Sequence, residues 1–425
     1  MDVTVNAELK DILVGEFNKS PQSKSPILSS LRKEAILYFE KAGFPSIKNE
    51  EWKYSNISPV LKKDFSPAGP ATLKKSALQL GEDKFQEIVL INGRYSEKLS
   101  DFSNESIDIL TFDNTPENLL QKYLKQEAIH FYDGFTALNT SLSEGLFIRI
   151  KKGKAIEIPI AIRHINDTGN ANIIVNSRIL ISCEENAQAK LVEFHENVGI
   201  NATLENSITQ IALSRSALID YYKIQSQPGL HYHVGTTQVY LEEKSNFNAT
   251  TITLEGEFVR NNLNIVLNSE YSEATLFGLS MIDNKKHVDN HTLVDHAKAN
   301  CYSNELYKSL LDGNSTGVFN GKIFVKPDAQ KTNAFQSNKN ILLSKDATMN
   351  AKPQLEIFAD DVKCSHGATI GKLDEEPLFY LRARGISEKK AKALLVHAFA
   401  GEILEHIKLK GLKSLLDEQI LERLN

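Results

Sequence analysis

The chain has three cysteines, three methionines, one tryptophan and no long apolar run. Cys183, Cys301 and Cys364 are too sparse among 425 residues for a disulfide framework, which points to a reducing compartment. No apolar stretch approaches the roughly 20 residues of a membrane span. The opening residues, MDVTVNAELKDILVGEF, lack the basic start and apolar centre of a signal peptide, so a cytoplasmic protein is expected. A net charge of −5 leaves no basic surplus for non-specific nucleic-acid binding. There is no Gly-x-x-x-x-Gly-Lys-Ser/Thr run, no Gly-rich βα turn and no Gly-x-Ser-x-Gly elbow. If ATP drives the work of this protein, a partner hydrolyses it.

What is present divides into three textures. Residues 1–144 read as mostly helical, with Leu31, Ala35, Ile36 and Phe39 at helical spacing before Gly43-Phe44-Pro45. SPAGP at 66–70 is a break, Ile88-Val89-Leu90-Ile91 before Asn92-Gly93 is a short strand, and helical sequence runs from Asn118 to about His130. From 145 to 363 the texture is β, with a loose repeat of strand, polar corner, strand. Ser177–Ile181 leads through Glu184-Glu185-Asn186 to Ala189–Val192, and Ser207–Ile211 through Ser214-Arg215-Ser216 to Ala217–Ile219. Thr237–Leu241 and Leu263–Leu267 open two further units. The interval is roughly 25–30 residues, the range of solenoids. One such unit cannot bury its apolar face alone, so units must stack. A β-sandwich would give similar short strands, but the constant order and the scarcity of Asn-Gly hairpins favour a parallel β-helix. Residues 364–425 are helical: Ser387 is an N-cap, and Ala391, Leu394, Leu395, Ala398 and Phe399 make one apolar stripe, followed after Gly411 by a second. From the residues alone, these stripes pack on the end of the solenoid.

The densest chemistry lies in QLEIFADDVKCSHGATIGKLDEEPLFYLRARGI, starting at Gln354. Cys364 and His366 are two residues apart, which in an extended chain puts a thiol and an imidazole on one face. Gly367 would let another backbone approach closely. The pair lacks the third and fourth ligands of a closed zinc site. The plain alternative is a buried cysteine beside a hydrogen-bonded histidine. His231 and His233 form a second such pair, expected on an exposed strand edge. His287, His291, His296 and Cys301 would converge on a helix, but the segment reads as β, where Asp289, Asn290 and Asp295 are expected to satisfy backbone groups in the corners.

Several motifs in one order resemble the SufB/SufD family of the SUF iron–sulfur cluster assembly system, on its SufD side. They are Glu51-Trp52-Lys53-Tyr54, His291-Thr292-Leu293-Val294-Asp295-His296, Ser303-Asn304-Glu305-Leu306-Tyr307-Lys308, Val318-Phe319-Asn320-Gly321-Lys322, Asp328–Ala334 and Cys364-Ser365-His366-Gly367-Ala368-Thr369. The resemblance implies a right-handed parallel β-helix flanked by N-terminal and C-terminal helical regions. It implies a non-catalytic scaffold that pairs with SufB, binds the ATPase SufC through its C-terminal helices, and works as one SufB, one SufD and two SufC. Leu394, Leu395, Ala398 and Phe399 are then the expected SufC-docking residues. His366, with Cys364 second, is expected to offer iron or nascent-cluster ligands facing a SufB cysteine. No permanently bound cofactor is implied, and the isolated chain is expected as a monomer or a homodimer. Two other readings stay open on the residues themselves. One is a carbohydrate-active β-helix enzyme using carboxylates such as Asp360-Asp361 or Asp374-Glu375-Glu376, although a single tryptophan leaves few sugar platforms. The other is a stand-alone metal-binding module built on Cys364 and His366.

Overall fold

The computed structural model describes residues 2–20, 23–71, 82–125, 132–226 and 228–424. The alternating, β-branched runs of the middle of the chain form two parallel sheets that face each other, wound as a solenoid of about 8 turns. The first sheet holds Leu146–Ile150, Asn172–Cys183, Thr203–Leu213, His231–Leu241, Phe258–Leu267, His287–His296, Thr316–Val325 and Thr348–Ile357. The second holds Ile160–Asp167, Gln188–Val198, Leu218–Gln225, Asn246–Thr253, Glu273–Ile282, Tyr302–Leu311, Thr332–Leu342 and Val362–Gly371. Each strand pairs in parallel with the strand two places on, so successive coils lie directly on one another.

The polar corners are what allow this stacking. Where the chain passes from the first sheet to the second, six successive corners place one residue at positive φ: Asn186, Ser216, Lys244, Tyr271, Asn300 and Lys331, with φ from 55° to 60°. In five of the six the N–H of that residue is held by the next coil: Asn186, for example, donates to the Arg215 carbonyl (3.1 Å) and Ser216 to that of Glu243 (2.9 Å). The corner backbone is thereby satisfied by stacking itself. In the opposite corners glycine serves more often. Gly256, at φ 114°, adopts a conformation that residues with a Cβ avoid.

Between the sheets lies an apolar interior that includes Ile179, Ile211, Val239, Ile265, Phe247 and Leu276. One end of this interior is closed by N-terminal sequence. Gln86–Ile91 adds a parallel strand to Ile160–Asp167, Ile107–Thr111 adds an antiparallel one to Leu146–Ile150, and Ile88, Leu90 and Ile107 plug the core. A short strand, Phe65–Pro67, likewise runs into the start of SPAGP and pairs with Asn172–Cys183. The N-terminal region is therefore helix and strand together, its strands drawn into distant sheet edges that local sequence does not announce. At the other end, Thr348–Ile357 and Val362–Gly371 are terminal strands of their sheets. The helical sequence expected from 364 resumes only at Glu375, because Cys364 to Gly371 completes the last coil.

The helices cover the outer faces of the solenoid. N-terminal Leu13, Phe39, Trp52 and Ile57 pack on Ile174, Leu204, Val234 and Phe258 of the first sheet. C-terminal Val396, Ala400, Ile403, Leu412, Leu416 and Ile420 pack on Val192, Ile224, Ile252, Leu279 and Leu310 of the second. The C-terminal helices thus lie along a face of the solenoid, where the sequence reading had placed them at its end. The helical run expected to reach His130 is observed as Glu117–Lys125, and the rest of that expectation falls outside the described residues.

Candidate functional site

Cys364 and His366 sit on the last strand, with Cys364 opposite Ala334 and His366 opposite Gln336 of the coil before. Ala334 and Gln336 are buried in the interior, so Cys364 and His366 occupy inward-facing positions of a coil that has no further coil over it. Cys364 is partly covered by Ile323, Val325, Ala329 and Ala334, while His366 is exposed. Burial pushes the Cys364 thiol above its usual range, partly offset by a hydrogen bond with the Ala334 backbone, so the thiol is protonated at neutral pH. A thiolate would form there only when a metal displaces the proton. Gly367 has open space about it: among the described residues an added Cβ would meet nothing within 4 Å, so none of their backbone makes the close approach its sequence suggested.

Behind His366 the same register continues inward as Gln336 and then Glu305. Gln336 Nε2 donates to Glu305 Oε1 (3.4 Å), and Thr292 Oγ1 to Glu305 Oε2 (2.6 Å). Burial raises the Glu305 carboxyl to about 7, against the opposing effect of those two hydrogen bonds. A polar column therefore leads from a buried carboxyl to the exposed imidazole.

The C-terminal stripe is split by the fold. Ser387 caps Glu388–Leu404 through Lys390 N–H (3.4 Å). Leu394 is 51% exposed and Ala398 is exposed, whereas Leu395 and Phe399 are half-buried. Phe399 lies under Lys308 Nζ (4.2 Å to the ring), and Lys308 also pairs with Glu402. Phe399 thus belongs mainly to the contact with the second sheet. The preceding helix, Glu375–Ala383, buries no residue and exposes Phe379 (73%) and Tyr380 (55%). The two helices and the corner Leu342–Lys345 line a cleft of about 750 Å³. Phe379 and Tyr380 were missed in the sequence because a lone Leu-Phe-Tyr triplet looks like core. Asp374 is occupied as the cap of this helix, accepting from Glu376 N–H (3.0 Å).

Glu51 to Tyr54 is a docking element. Arg260, on the outer face of the first sheet, donates from Nη1 to the Glu51 carbonyl (2.7 Å) and to Asp289 Oδ2 (2.6 Å), and its guanidinium covers the Trp52 ring at 4.2 Å. His291 bridges Asp289 (3.0 Å) and the Glu51 carboxylate (3.4 Å). Burial opposes ionisation of Asp289, yet His291 and Arg260 hold it below the usual carboxylate range. The histidines of this stretch do not converge. His287 and His291 face outward, whereas His296 points inward to Ser303 (2.8 Å) and Cys301 lies in a corner beside Ser272. Asp289 and Asn290 bind side chains, Asn290 pairing with Asn261 and Ser280, and so they do not serve the corner backbone as expected.

His231 and His233 are the larger correction. Both are buried, because the strand His231–Leu241 has neighbours on both sides and no exposed edge. They join a polar cluster with His164, His195, Glu193 and Glu205 inside the solenoid. Burial pushes His195 down to about 4 and His233 well below its usual range. Burial opposes ionisation of Glu205, but the surrounding histidines hold it well below the usual carboxylate range.

The chain is thus a two-sheet parallel solenoid with helices along both faces and a cysteine–histidine pair on an open final coil. Residues 164–399 match the family described as "SUF system FeS cluster assembly, SufBD core domain", and residues 12–162 match "SufBD protein N-terminal region". The chain belongs to the SufBD family, and its role is in SUF-system iron–sulfur cluster assembly. It is 31% identical to the iron–sulfur cluster assembly protein SufD of Escherichia coli (strain K12), over 96% of this chain and 92% of that protein. It is 30% identical to a SufBD-family iron–sulfur cluster assembly protein of Synechocystis, over 93% of this chain and 90% of the relative. It is 27% identical to the chloroplastic protein ABCI7 of Arabidopsis thaliana, over 94% and 86%. Among the described residues no helix is long and apolar enough to cross a membrane.

Proposed function

We propose that this chain is a non-catalytic scaffold subunit that pairs with SufB through the open end of its solenoid and carries SufC on its C-terminal helices. In this reading Cys364 and His366 supply one half of a site for iron or a nascent cluster, and the partner supplies the other half. The observation that carries the reading is the pair of inward-facing potential ligands on a terminal coil with no coil over it, His366 exposed and Cys364 partly covered. Thiolate is a soft ligand and neutral imidazole a borderline one, and both suit iron. Two ligands are half of what an ordinary cluster takes. The unpaired edges of Thr348–Ile357 and Val362–Gly371 favour a partner that continues the sheets. Exposed Leu394, Ala398, Phe379 and Tyr380 favour a separate apolar contact on the helices, with SufC as the proposed occupant. ATP-driven movement of two SufC subunits would then change access to the half-site, which requires ATP to bind one arrangement more tightly than the other.

The deciding experiment is co-expression with SufB and SufC, comparing iron and acid-labile sulfide per intact complex for wild type, His366→Ala and Cys364→Ala. The expected result is normal assembly with less iron and sulfide in His366→Ala. Wild-type iron and sulfide in an intact His366→Ala complex would remove the ligand role.

A further inference from the structure

The inward face of the solenoid is apolar over most of its length, but one layer gathers several ionisable groups. His164 and His195 are register partners on neighbouring coils of the second sheet, with rings stacked at 4.6 Å and 11°. Glu205 faces them from the first sheet, where its register partner is His233. His195 Nδ1 lies 2.8 Å from Glu205 Oε1, and His164 Nδ1 lies 3.7 Å from the same oxygen. One ligand atom from each of the three residues falls within 4.8 Å of the others, and all three residues are at least 98% buried.

Ordinary hydrogen bonding does not complete this layer. His164 Nδ1 and His195 Nε2 have no hydrogen-bond partner, whereas His164 Nε2 stands 2.8 Å from Glu193 Oε1 and His195 Nδ1 is hydrogen-bonded to Glu205 Oε1. Unpartnered buried polar atoms are rare in native interiors, and each one calls for a cause such as an ion or water. The spacing suits an ion. Two ligands about 2 Å from a tetrahedral zinc stand roughly 3.3 Å apart, and the observed 2.8 and 3.7 Å bracket that value. The second carboxylate, Glu193, is oriented by Thr209 Oγ1 (2.9 Å), and Glu205 is held by Asn166 Nδ2 (2.9 Å) and His231 Nε2 (2.9 Å). Such outer contacts fix ligand orientation at metal centres. Gly235 keeps the space open: a Cβ there would stand 2.8 Å from His233 Nε2.

We propose that the solenoid interior binds one divalent transition-metal ion through His164, His195 and Glu205, tying the two sheets together as a structural centre. Two imidazoles and a carboxylate form a borderline donor set of the kind that zinc takes. Because the layer is sealed from solvent, the ion is acquired as the coils close and is retained afterwards. The site is separate from the cysteine–histidine pair on the last coil and does not depend on the function proposed for that pair.

The test uses the full chain, expressed in zinc-supplemented medium, desalted, and read by elemental analysis. A second sample is refolded with Co²⁺ and read by visible absorption and by X-ray absorption at the cobalt edge. The expected result is one equivalent of metal per chain, retained by the Cys364→Ala/His366→Ala double variant and lost from His164→Asn/His195→Asn. Wild type that holds no metal by either route would overturn the proposal. Undiminished metal in a folded His164→Asn/His195→Asn variant would do the same. If that variant does not fold, the cobalt spectrum of the Cys364→Ala/His366→Ala variant decides: bound cobalt with nitrogen and oxygen ligands supports the centre, and no bound cobalt refutes it. Glu205→Gln, the gentler change, is expected to lose cobalt while keeping its contact with Asn166, and undiminished cobalt in it would remove Glu205 from the ligand set.

Discussion

Glu305→Gln is expected to stabilise the protein at slightly alkaline pH and to have little effect in mild acid. The carboxyl is fully buried, and burial moves it from an ordinary 4.5 to about 7, with only Thr292 and Gln336 offering hydrogen bonds. Between those two values the unfolded chain has released the proton and the folded chain still holds it. The unfolded state then binds fewer protons, so stability falls as pH rises through this window and the loss is complete above 7. A shift of that size corresponds to about 3 kcal/mol. Glutamine has nearly the same shape and no charge to desolvate. Its amide also brings a donor toward Gln336, whose Oε1 makes no hydrogen bond in the wild type. The assay is the urea midpoint of both proteins at pH 5 and pH 8. The variant should gain about 2–3 kcal/mol on wild type between the two conditions. An equal difference at both pH values would mean that Glu305 is ionised in the folded chain, and the reasoning would fail.

Arg260→Leu should cost about 3–5 kcal/mol by urea denaturation, because it strands the buried Asp289 charge and frees the Glu51–Tyr54 segment. A loss under about 1 kcal/mol would show that water takes the place of the guanidinium. Leu394→Asp should leave the urea midpoint within about 0.5 kcal/mol of wild type while weakening pull-down of SufC, since the side chain is half exposed. Full SufC retention would take the helix Glu388–Leu404 out of that contact. Gly235→Ala should destabilise by about 1–3 kcal/mol, because the new methyl group overlaps His233 and sits 3.0 Å from Lys223 Nζ. An unchanged midpoint would mean that this layer can yield.

The solenoid was legible because its signals are local. Runs such as Thr237–Leu241 alternate at period two, and corners such as Glu242–Asn246 carry polar residues able to adopt positive φ. Cys364 and His366 were read as an extended pair on one face, yet the helical region was drawn from 364, since helical sequence follows so closely. The stripe at Leu394–Phe399 was read as one face, whereas contact with the second sheet selects Val396 and Ala400 and turns Leu394 outward. The interior histidine layer was out of reach. His164, His195, Glu205 and His233 meet only through the stacking register of four successive coils, and no short window of sequence contains them. Besides the His231–His233 pair, which was read as an exposed edge, the available signal was His195, which falls one coil interval after His164. Detecting it requires knowing the register first.

Each interior coil is held by two neighbours, and the coil made by Thr348–Ile357 and Val362–Gly371 by one. In a linear array with nearest-neighbour coupling, an end unit opens by breaking a single interface. Backbone amides of Val362–Gly371 should therefore exchange with solvent faster than those of Asn246–Thr253 at the centre of the stack. The two candidate ligands ride on the coil that frays most readily. A partner seated against it would act first as a clamp on that fraying, and slowed hydrogen exchange at Cys364 and His366 would register its arrival before any iron is bound.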